Sequence, residues 1–456
     1  MGKEVSIPII LIGIILFFIL RRGGFLTSLK SQDSPFGFHP AVPYDEAKKI
    51  GVRWTREGEF PYLFWSIVDP EKTGDPAKFN WQHPVNYDLI FDAQKFGLSL
   101  VQNIQPEPSP GLIDSGQVGN YSQLNSWLPV DEIAYRNFVK EAIRRYSFIN
   151  YWQIGNEPNM FRNLSDFAEL QRITYEAIKE ANPQIQVLMG GVEGSEGIDE
   201  YFESILSELQ GKSLDIFDIH FYGDAKGGEL IIPRGRAMGY QDFKTVYDYF
   251  RNLLDRNGFS HIPIWVTETG TFSGMLSMGL QQTELEQAID LIKRYVYPLS
   301  MGVKKVFWFS LMEGFGPWND DFFDHTGLIY GGQDGVHGLG EKKLGYYAFW
   351  LMTDKLEGSD WDNIQVIQES DGIYIYKFTK QGNPIWVAWN DNLSSEQITI
   401  SGIDSAQIKI TEVIPKYESG KDVISYNTAF NTEIKSVDGG ELTLTLEDIP
   451  VFIERA

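Results

Sequence analysis

The sequence predicts an α/β protein in two folded parts, a (β/α)8 TIM barrel over residues 34–358 and a small C-terminal antiparallel β-sandwich over residues 359–456. Eight short apolar segments alternate with helical segments, and each pair occupies about 30 to 45 residues, as in a closed barrel of parallel strands. An open doubly wound sheet is the alternative, but no Gly-x-Gly-x-x-Gly follows the first strand. From about Asp362 the apolar pattern changes to alternation, which indicates antiparallel strands.

The predicted barrel elements follow one another as strand and helix in turn. Strands are predicted at residues 35–39, 52–56 and 98–104, from 151 to an Asn-Glu-Pro corner, at 185–189 and 214–221, from 264 to 270, and at 303–309. Helices are predicted at 44–50, 84–97, 131–146, 166–181, 198–209 and 241–256, from 284 onward, and at 346–356. The helix at 131–146 has one apolar stripe, and Thr283 with Glu286 forms a capping box ahead of residue 284.

The segments outside this alternation have their own signals. The loop from Gln105 to Pro129 is rich in Gly, Pro and Ser, and a loop of that length in a compact domain is usually functional or disordered. Alternating strands of the C-terminal part are predicted at 373–376, 385–389, 397–400, 408–413 and 442–446.

Composition excludes several classes of function. The 39 Lys and Arg against 62 Asp and Glu give a net charge of −23, and no basic stripe is present, so a nucleic-acid partner is not expected. The chain has no cysteine, which excludes disulfides, thiolate metal sites and a cysteine nucleophile. No cofactor is implied by the sequence.

The first 33 residues are predicted to be a hydrophobic signal or anchor followed by a tether. The apolar run from Ile7 to Leu20 has signal-peptide length and lies at the short limit for a membrane span. Arg21 and Arg22 follow without a cleavage motif, which favours a retained membrane anchor. Their position after the run conflicts with an extracytoplasmic barrel under the charge rule. We nevertheless expect an anchored or exported protein on the extracytoplasmic side, and an inert leader is the alternative.

Two carboxylates are predicted at the ends of strands. Glu157 follows the apolar run from Tyr151, and Glu268 ends the apolar run from Ile264. Because the C-terminal ends of parallel barrel strands open onto one face, the fold would bring both glutamates together there. A solvated or salt-bridged strand cap is the alternative for each residue alone.

Two such carboxylates can cleave an acetal. One carboxyl group protonates the leaving oxygen while the other, as an anion, attacks the anomeric carbon, and water then releases the covalent intermediate. Close approach of two like charges separates their pKa values, which allows one to be an acid and the other a nucleophile. The pair therefore predicts a retaining glycosidase.

The motifs Ile154-Gly155-Asn156-Glu157-Pro158-Asn159 and Thr267-Glu268-Thr269-Gly270 resemble those of glycoside hydrolase clan A, the retaining barrels that include families 5 and 39. The resemblance covers roughly residues 34 to 356 and implies a (β/α)8 barrel that hydrolyses a β-linked glycan or β-glycoside by double displacement. It implies the following roles: Glu157 as acid/base, Glu268 as nucleophile, Asn156 on the sugar 2-hydroxyl, Arg56 holding the nucleophile anionic, His220 and Tyr222 lining the site, and Trp308, followed by a cis peptide, as the sugar platform.

Other residues have open interpretations. His39 is a candidate for binding sugar hydroxyls, and a structural histidine is the alternative. An acidic loop contains Asp320, Asp321, Asp324 and His325, but its spacing matches no standard calcium loop, so no metal is expected. Candidate sugar-stacking residues, for which core packing is the alternative, are Trp65, Trp81, Trp127 and Trp318.

Two further functions remain open from the sequence. A non-catalytic, membrane-tethered carbohydrate-binding barrel would keep the fold without turnover. A metal-dependent barrel hydrolase would require a ligand pattern such as His-x-His, which the chain lacks.

Overall fold

The computed structural model describes residues 34–56, 62–107, 128–158, 164–193, 198–223, 239–276, 279–314 and 322–456. The barrel strands are β1 (Phe36–Phe38), β2 (Trp54–Arg56), β3 (Ser99–Gln105), β4 (Tyr151–Ile154), β5 (Gln186–Met189), β6 (Phe217–Phe221), β7 (Ile264–Thr269) and β8 (Val306–Trp308). All neighbours are parallel, β1 pairs with β2 and with β8, and a bridge between Leu188 and Ile216 joins β5 to β6. The predicted barrel is confirmed.

The helices are α1 (Tyr44–Lys49), α2 (Trp65–Val68), α3 (Ile90–Lys95), α4 (Glu132–Arg145), α5 (Leu164–Ala181), α6 (Ile198–Leu209), α7 (Phe243–Arg256), α8 (Glu284–Ser300) and α9 (Leu344–Leu356). The capping box at Thr283 is present. The predicted helix at 84–97 is shorter than expected, because Asn86 caps a separate 3-10 turn ahead of α3. A short strand, Tyr62–Phe64, pairs with β3 and was not predicted.

Side chains inside the barrel form layers. The floor is an apolar cluster of Trp54, Val101, Leu188, Ile216, Trp265 and Phe307, with Tyr151 against it. Two residues further along their strands lie the polar side chains of Arg56, Asn103, Gln153, Asp218 and Thr267, each completely buried. This placement follows from the two-residue period of a strand, which returns alternate side chains to the same face. The mouth of the barrel therefore lies above a layer of buried polar side chains, and that layer lies above the apolar floor.

The C-terminal part is antiparallel, as predicted. Its strands are β9 (Gln365–Ser370), β10 (Ile373–Lys380), β11 (Asn383–Asn390), β12 (Glu396–Ser401), β13 (Gln407–Pro415), β14 (Phe430–Ser436), β15 (Glu441–Leu446) and β16 (Val451–Arg455). Six strands form one sheet in the order β9-β10-β11-β16-β13-β14, and β12 pairs with β15. The edge strands β9 and β14 and the inner strand β16 were missed. Most side chains of β9 and β14 are exposed, so no apolar alternation marks these two strands.

The β domain is fixed to the barrel through Glu284 at the start of α8. Oε1 of Glu284 accepts from the hydroxyls of Tyr330 (3.0 Å) and Ser419 (2.7 Å), and Oε2 accepts from the backbone N–H groups of Leu344 and Gly420 (both 2.8 Å). One carboxylate thus joins α8, α9 and the β domain.

The predictions at the chain start and in the acidic loop lie partly outside the described residues. Among the described residues, no helix has both the length and the apolar character that a membrane crossing requires. The predicted anchor at residues 1–33, Asp320 and Asp321 fall outside them.

Replacing Gly420 by Ala should loosen the contact between the two folded parts. A Cβ at this position would overlap the backbone of Lys343, and because backbone cannot move aside cheaply, we expect a loss of about 1–3 kcal/mol in the free energy of unfolding. Urea unfolding measures it. The matched control is Gly314→Ala, where a Cβ meets nothing within 4 Å; equal stability of the two variants would contradict the prediction.

Candidate active site

The two predicted glutamates meet at the mouth of the barrel. Glu157 lies just beyond β4, and Glu268 lies within β7. One carboxylate oxygen of Glu157, one of Glu268 and a ring nitrogen of His220 all lie within 4.8 Å of one another. Two carboxyl groups about 5–5.5 Å apart can both reach one anomeric carbon, whereas a wider separation leaves room for an intervening water. The spacing here matches the first arrangement.

The backbone around Glu157 is turned sharply. Gly155 has φ 70° and Glu157 has φ 43°, so both lie in the left-handed region. A non-glycine residue is uncommon there, and such conformations are concentrated at functional sites. The side-chain amide of Asn103 donates to the carbonyl of Gly155, and Gly190 packs so closely that a Cβ on it would meet the Gly155 carbonyl carbon at 2.9 Å. The sharp turn aims the Glu157 side chain into the mouth.

Glu268 is buried among hydrogen-bond donors. Arg56 donates to Oε1, and the Tyr222 hydroxyl donates to Oε2 at 2.7 Å. Burial by itself would raise the pKa of Glu268, but the positive charges of His220 and Arg56 outweigh it and lower the pKa to about 2. The structure therefore brings the predicted partners Arg56 and Tyr222 to Glu268 and keeps that carboxylate anionic.

His220 lies between the two glutamates. Its Nδ1 is 2.8 Å from Oε1 of Glu157 and 3.5 Å from Oε1 of Glu268. Burial acts to lower the pKa of His220, but the charge of Glu268 and hydrogen bonds to Asp218 and Glu157 raise it to about 10. At neutral pH the surroundings therefore favour a proton on this imidazole, which contacts both carboxylates.

Asn156 and His39 also reach this site. Oδ1 of Asn156 accepts from Arg56 at 2.6 Å, so its amide nitrogen is the atom that it offers to another acceptor. Nδ1 of His39 donates to the carbonyl of Arg56 at 2.9 Å, and its Nε2 lies 3.5 Å from Glu268. Burial and the charge of Arg56 lower the pKa of His39 to about 3. His39 is therefore neutral, and its Nε2 can accept from a hydroxyl.

The structure does not place Trp308 at the mouth of the barrel, where a sugar platform was expected. Phe307 belongs to the barrel floor, so strand alternation turns Trp308 outward, where it is completely buried and donates from Nε1 to the carbonyl of Thr326 at 2.9 Å. Phe309 stands at the mouth in its place, with its ring centroid 5.2 Å from that of His39 and 5.5 Å from that of Phe323. The cis peptide expected after Trp308 lies one bond later, between Phe309 and Ser310.

Sequence analysis missed the polar network beneath the glutamates. Arg56 donates from Nε to Oε1 of Gln153 (2.7 Å), and Nε2 of Gln153 donates to Oδ2 of Asp218 (2.5 Å). The same Oδ2 accepts from the hydroxyl of Thr267 (2.6 Å), which lies 3.2 Å from Nε2 of His220. The available signal was a polar residue inside an apolar strand, as for Gln153 and Asp218. Such residues require buried partners.

The remaining candidates are divided between packing roles and undescribed residues. Trp65 is buried against Tyr135, and Trp81 stacks on Phe138, so both are packing residues. Trp127 and Trp318 fall outside the described residues. In the acidic loop, Asp324 and His325 are described and nearly buried.

Within the described part of the chain, the one group with the spacing of metal ligands is Glu157, His220 and Glu268. The guanidinium of Arg56 already contacts the Glu268 carboxylate, which disfavours a second cation there.

The structure is similar to those of several glycoside hydrolases. A family 39 glycoside hydrolase from Bacteroides cellulosilyticus aligns with a TM-score of 0.67 and 18% identity over 94% of this chain and 82% of that chain. A monomeric β-xylosidase from Caulobacter crescentus gives 0.60 and 14% over 93% and 96%, and an α-L-arabinofuranosidase from Thermotoga maritima gives 0.58 and 13% over 90% and 88%. No protein-family model and no curated protein matches the sequence. At these identities the likeness supports the fold alone, a (β/α)8 barrel with an appended β domain.

Stability should depend on the charge of His220. Because its folded pKa of about 10 lies above the ordinary 6.5, the stabilisation is fully present below about pH 6.5 and is lost as pH rises toward 10. We expect the urea midpoint to fall between pH 7 and 10, and to fall less in His220→Asn. The exposed histidine variant His261→Asn should keep the wild-type slope; parallel curves for wild type and His220→Asn would exclude the effect.

Proposed function

We propose that this protein is a retaining β-glycosidase that acts by double displacement, with Glu268 as nucleophile and Glu157 as acid and base. The observation that supports it is the approach of the two carboxylates to within 4.8 Å at the C-terminal face of the barrel. The similarity to several glycoside hydrolase structures agrees with this proposal.

The surroundings of the two carboxylates support these roles. Glu268 accepts from Arg56 and Tyr222, both of which stabilise an anion, so it suits attack on the anomeric carbon. Glu157 faces His220, a group that can give or take a proton across their 2.8 Å contact. Glu157 therefore suits proton transfer.

In the first step the Glu157 carboxyl proton goes to the glycosidic oxygen while a Glu268 oxygen bonds to the anomeric carbon. The aglycone leaves as an alcohol, and a glycosyl ester remains on Glu268. Formation of the ester removes a negative charge that lies 3.5 Å from His220. In the second step the Glu157 carboxylate takes a proton from water, and the resulting hydroxide displaces Glu268 from the anomeric carbon.

The mouth of the barrel has groups that suit a sugar. Asn156 offers an amide donor and His39 an acceptor close to Glu268, and these can bind hydroxyls beside the reacting carbon. The rings of Phe309, Phe323 and Tyr222 form an adjoining aromatic wall. Aromatic faces pack on the apolar faces of sugars, so the substrate proposed is a β-linked sugar bound against this wall.

Glu268→Gly should abolish hydrolysis of 4-nitrophenyl β-glycosides, because it removes the carboxylate proposed to form the ester. Glu157→Ala should lower kcat/KM by about 10²–10⁴-fold for substrates with poor leaving groups and much less for 2,4-dinitrophenyl glycosides, because kcat/KM reports the first step and only poor leaving groups need its general acid. Initial rates on a panel of β-xylosides and β-glucosides measure both effects.

The control is Glu433→Gln, an exposed glutamate of the β domain, which should keep wild-type rates. An active double variant at positions 157 and 268 would overturn the proposal. Tight glycan binding by the wild type without turnover over days would instead support a non-catalytic carbohydrate-binding barrel.

Phe309→Ala and Trp308→Ala should affect different properties, the first substrate binding and the second stability. Phe309→Ala should raise KM by about two- to tenfold, because it removes ring contact with the sugar, and should leave the unfolding midpoint nearly unchanged. Trp308→Ala should lower the free energy of unfolding by about 3–5 kcal/mol, because it empties a buried site. Steady-state kinetics and urea unfolding separate the two; a KM effect confined to Trp308→Ala would restore Trp308 as the platform.

A further inference from the structure

The polar side chains inside the barrel form a chain of hydrogen bonds that begins at Arg56. Because Arg56 is at one end of this chain, it determines which group donates and which accepts in every later bond. Arg56 can only donate, so the Gln153 oxygen must face it and the Gln153 nitrogen must face Asp218. Asp218 therefore accepts from Gln153, and it accepts from the backbone N–H of Thr267 at 3.1 Å as well. With the hydroxyl of Thr267, three donors converge on a carboxylate that has no exposure to solvent. That arrangement fits its ionised form.

The next bond determines which nitrogen of His220 carries a proton. The Thr267 hydroxyl has a single proton, and it is donated to Asp218 at 2.6 Å. At its 3.2 Å contact with Nε2 of His220, the Thr267 oxygen must then accept. Nε2 is therefore a donor, with Oδ2 of Asp218 itself only 3.6 Å away. Nδ1 is left to face Oε1 of Glu157.

We propose that Asp218, acting through Thr267, keeps Nε2 of His220 protonated so that Nδ1 shares one mobile proton with Glu157. This inference rests on the proposed function of Glu157 as acid and base. Asp218 and Thr267 are positioning residues in it, since neither reaches the mouth of the barrel, and both are completely buried. Their role is to make Nδ1, and not Nε2, the nitrogen that exchanges its proton.

The protons balance over the reaction. The resting pair is imidazolium with carboxylate or imidazole with carboxylic acid, and the two forms differ only in the position of one proton between Nδ1 and Oε1. When Glu157 gives that proton to the leaving oxygen, neutral His220 and the Glu157 carboxylate remain, and Glu268 carries the glycosyl ester. Water then returns a proton to Glu157, its hydroxyl bonds to the anomeric carbon, and Glu268 leaves as a carboxylate.

The surroundings of His220 support this arrangement. The charged or titratable groups that face it are Glu157 beyond β4, Glu268 from β7, Arg56 from β2, His39 from β1 and Asp218 from β6 itself. On the side of β5 the ring packs on Gly191, where a Cβ would overlap Nε2. A ring flip would place carbon atoms against both Thr267 and Glu157, so the ring is held in one orientation.

Nitrogen-15 NMR of the histidine side chains tests the assignment without reference to activity. In the wild type, raising the pH from 6 to 11 should move Nδ1 of His220 to the unprotonated shift while Nε2 keeps its proton; His220→Gln identifies the signal. In Thr267→Val and Asp218→Asn this order should be lost, and in Thr267→Ser, which restores the hydroxyl, it should return. If Nε2 of His220 lost its proton before Nδ1 in the wild type, the proposal would be overturned.

Kinetics test the catalytic part. Thr267→Val and Asp218→Asn should lower kcat/KM by about ten- to a hundredfold for 4-nitrophenyl β-xyloside or β-glucoside and by less than about threefold for the 2,4-dinitrophenyl compound. Thr267→Ser should recover the rate, and the buried control Thr174→Val should not lose it. Equal losses on both leaving groups would overturn the role in proton transfer. A wild type with the expected NMR order but no turnover would defeat the proposed function while the assignment of Asp218 stands.

Discussion

The site depends on one buried cation. The guanidinium of Arg56 has no exposure to solvent and contacts Glu268, Gln153 and Asn156. A buried charge is tolerated only when it is paired and hydrogen-bonded. The planar fork of the arginine determines where these partner atoms lie, since each N–H must meet an acceptor. Because β2 holds the arginine and β4 and β7 hold its partners, the same contacts that satisfy the charge also set the distance between the two glutamates.

The environment of this cation explains why the pKa values of two buried histidines shift in opposite directions. His39 and His220 are both nearly free of solvent, so burial acts on both to remove the charge. Arg56 adds to that effect at His39, whereas Glu268, Asp218 and Glu157 reverse it at His220. Opposite pKa shifts of this kind require a site that excludes water, because neighbouring charges are only weakly screened there. The aromatic floor around Trp54 and Trp265 provides it.

The two-residue period of a strand explains what the sequence analysis missed at the mouth of the barrel. The analysis located Glu157 and Glu268 from a different signal, since each ends an apolar run that the barrel must bury. Applied strictly from Phe307, the same period would have placed Phe309 at the mouth and Trp308 outside. The Asp218 network could be suspected from polar residues in apolar strands, but not its connections, because these join four different strands. The exposed strands β9 and β14 have no apolar pattern to detect.

The appended β domain bears on the chemistry through α8. Asp391, between β11 and β12, accepts from Lys293 of α8 at 2.6 Å and from Gln241 ahead of α7 at 2.7 Å. The next residue of the helix, Arg294, donates to the carbonyl of Tyr222 at 3.1 Å. Since the hydroxyl of Tyr222 donates to Glu268, the helix that the β domain holds also places a donor on the proposed nucleophile. A domain outside the barrel therefore helps to position the group that keeps Glu268 anionic.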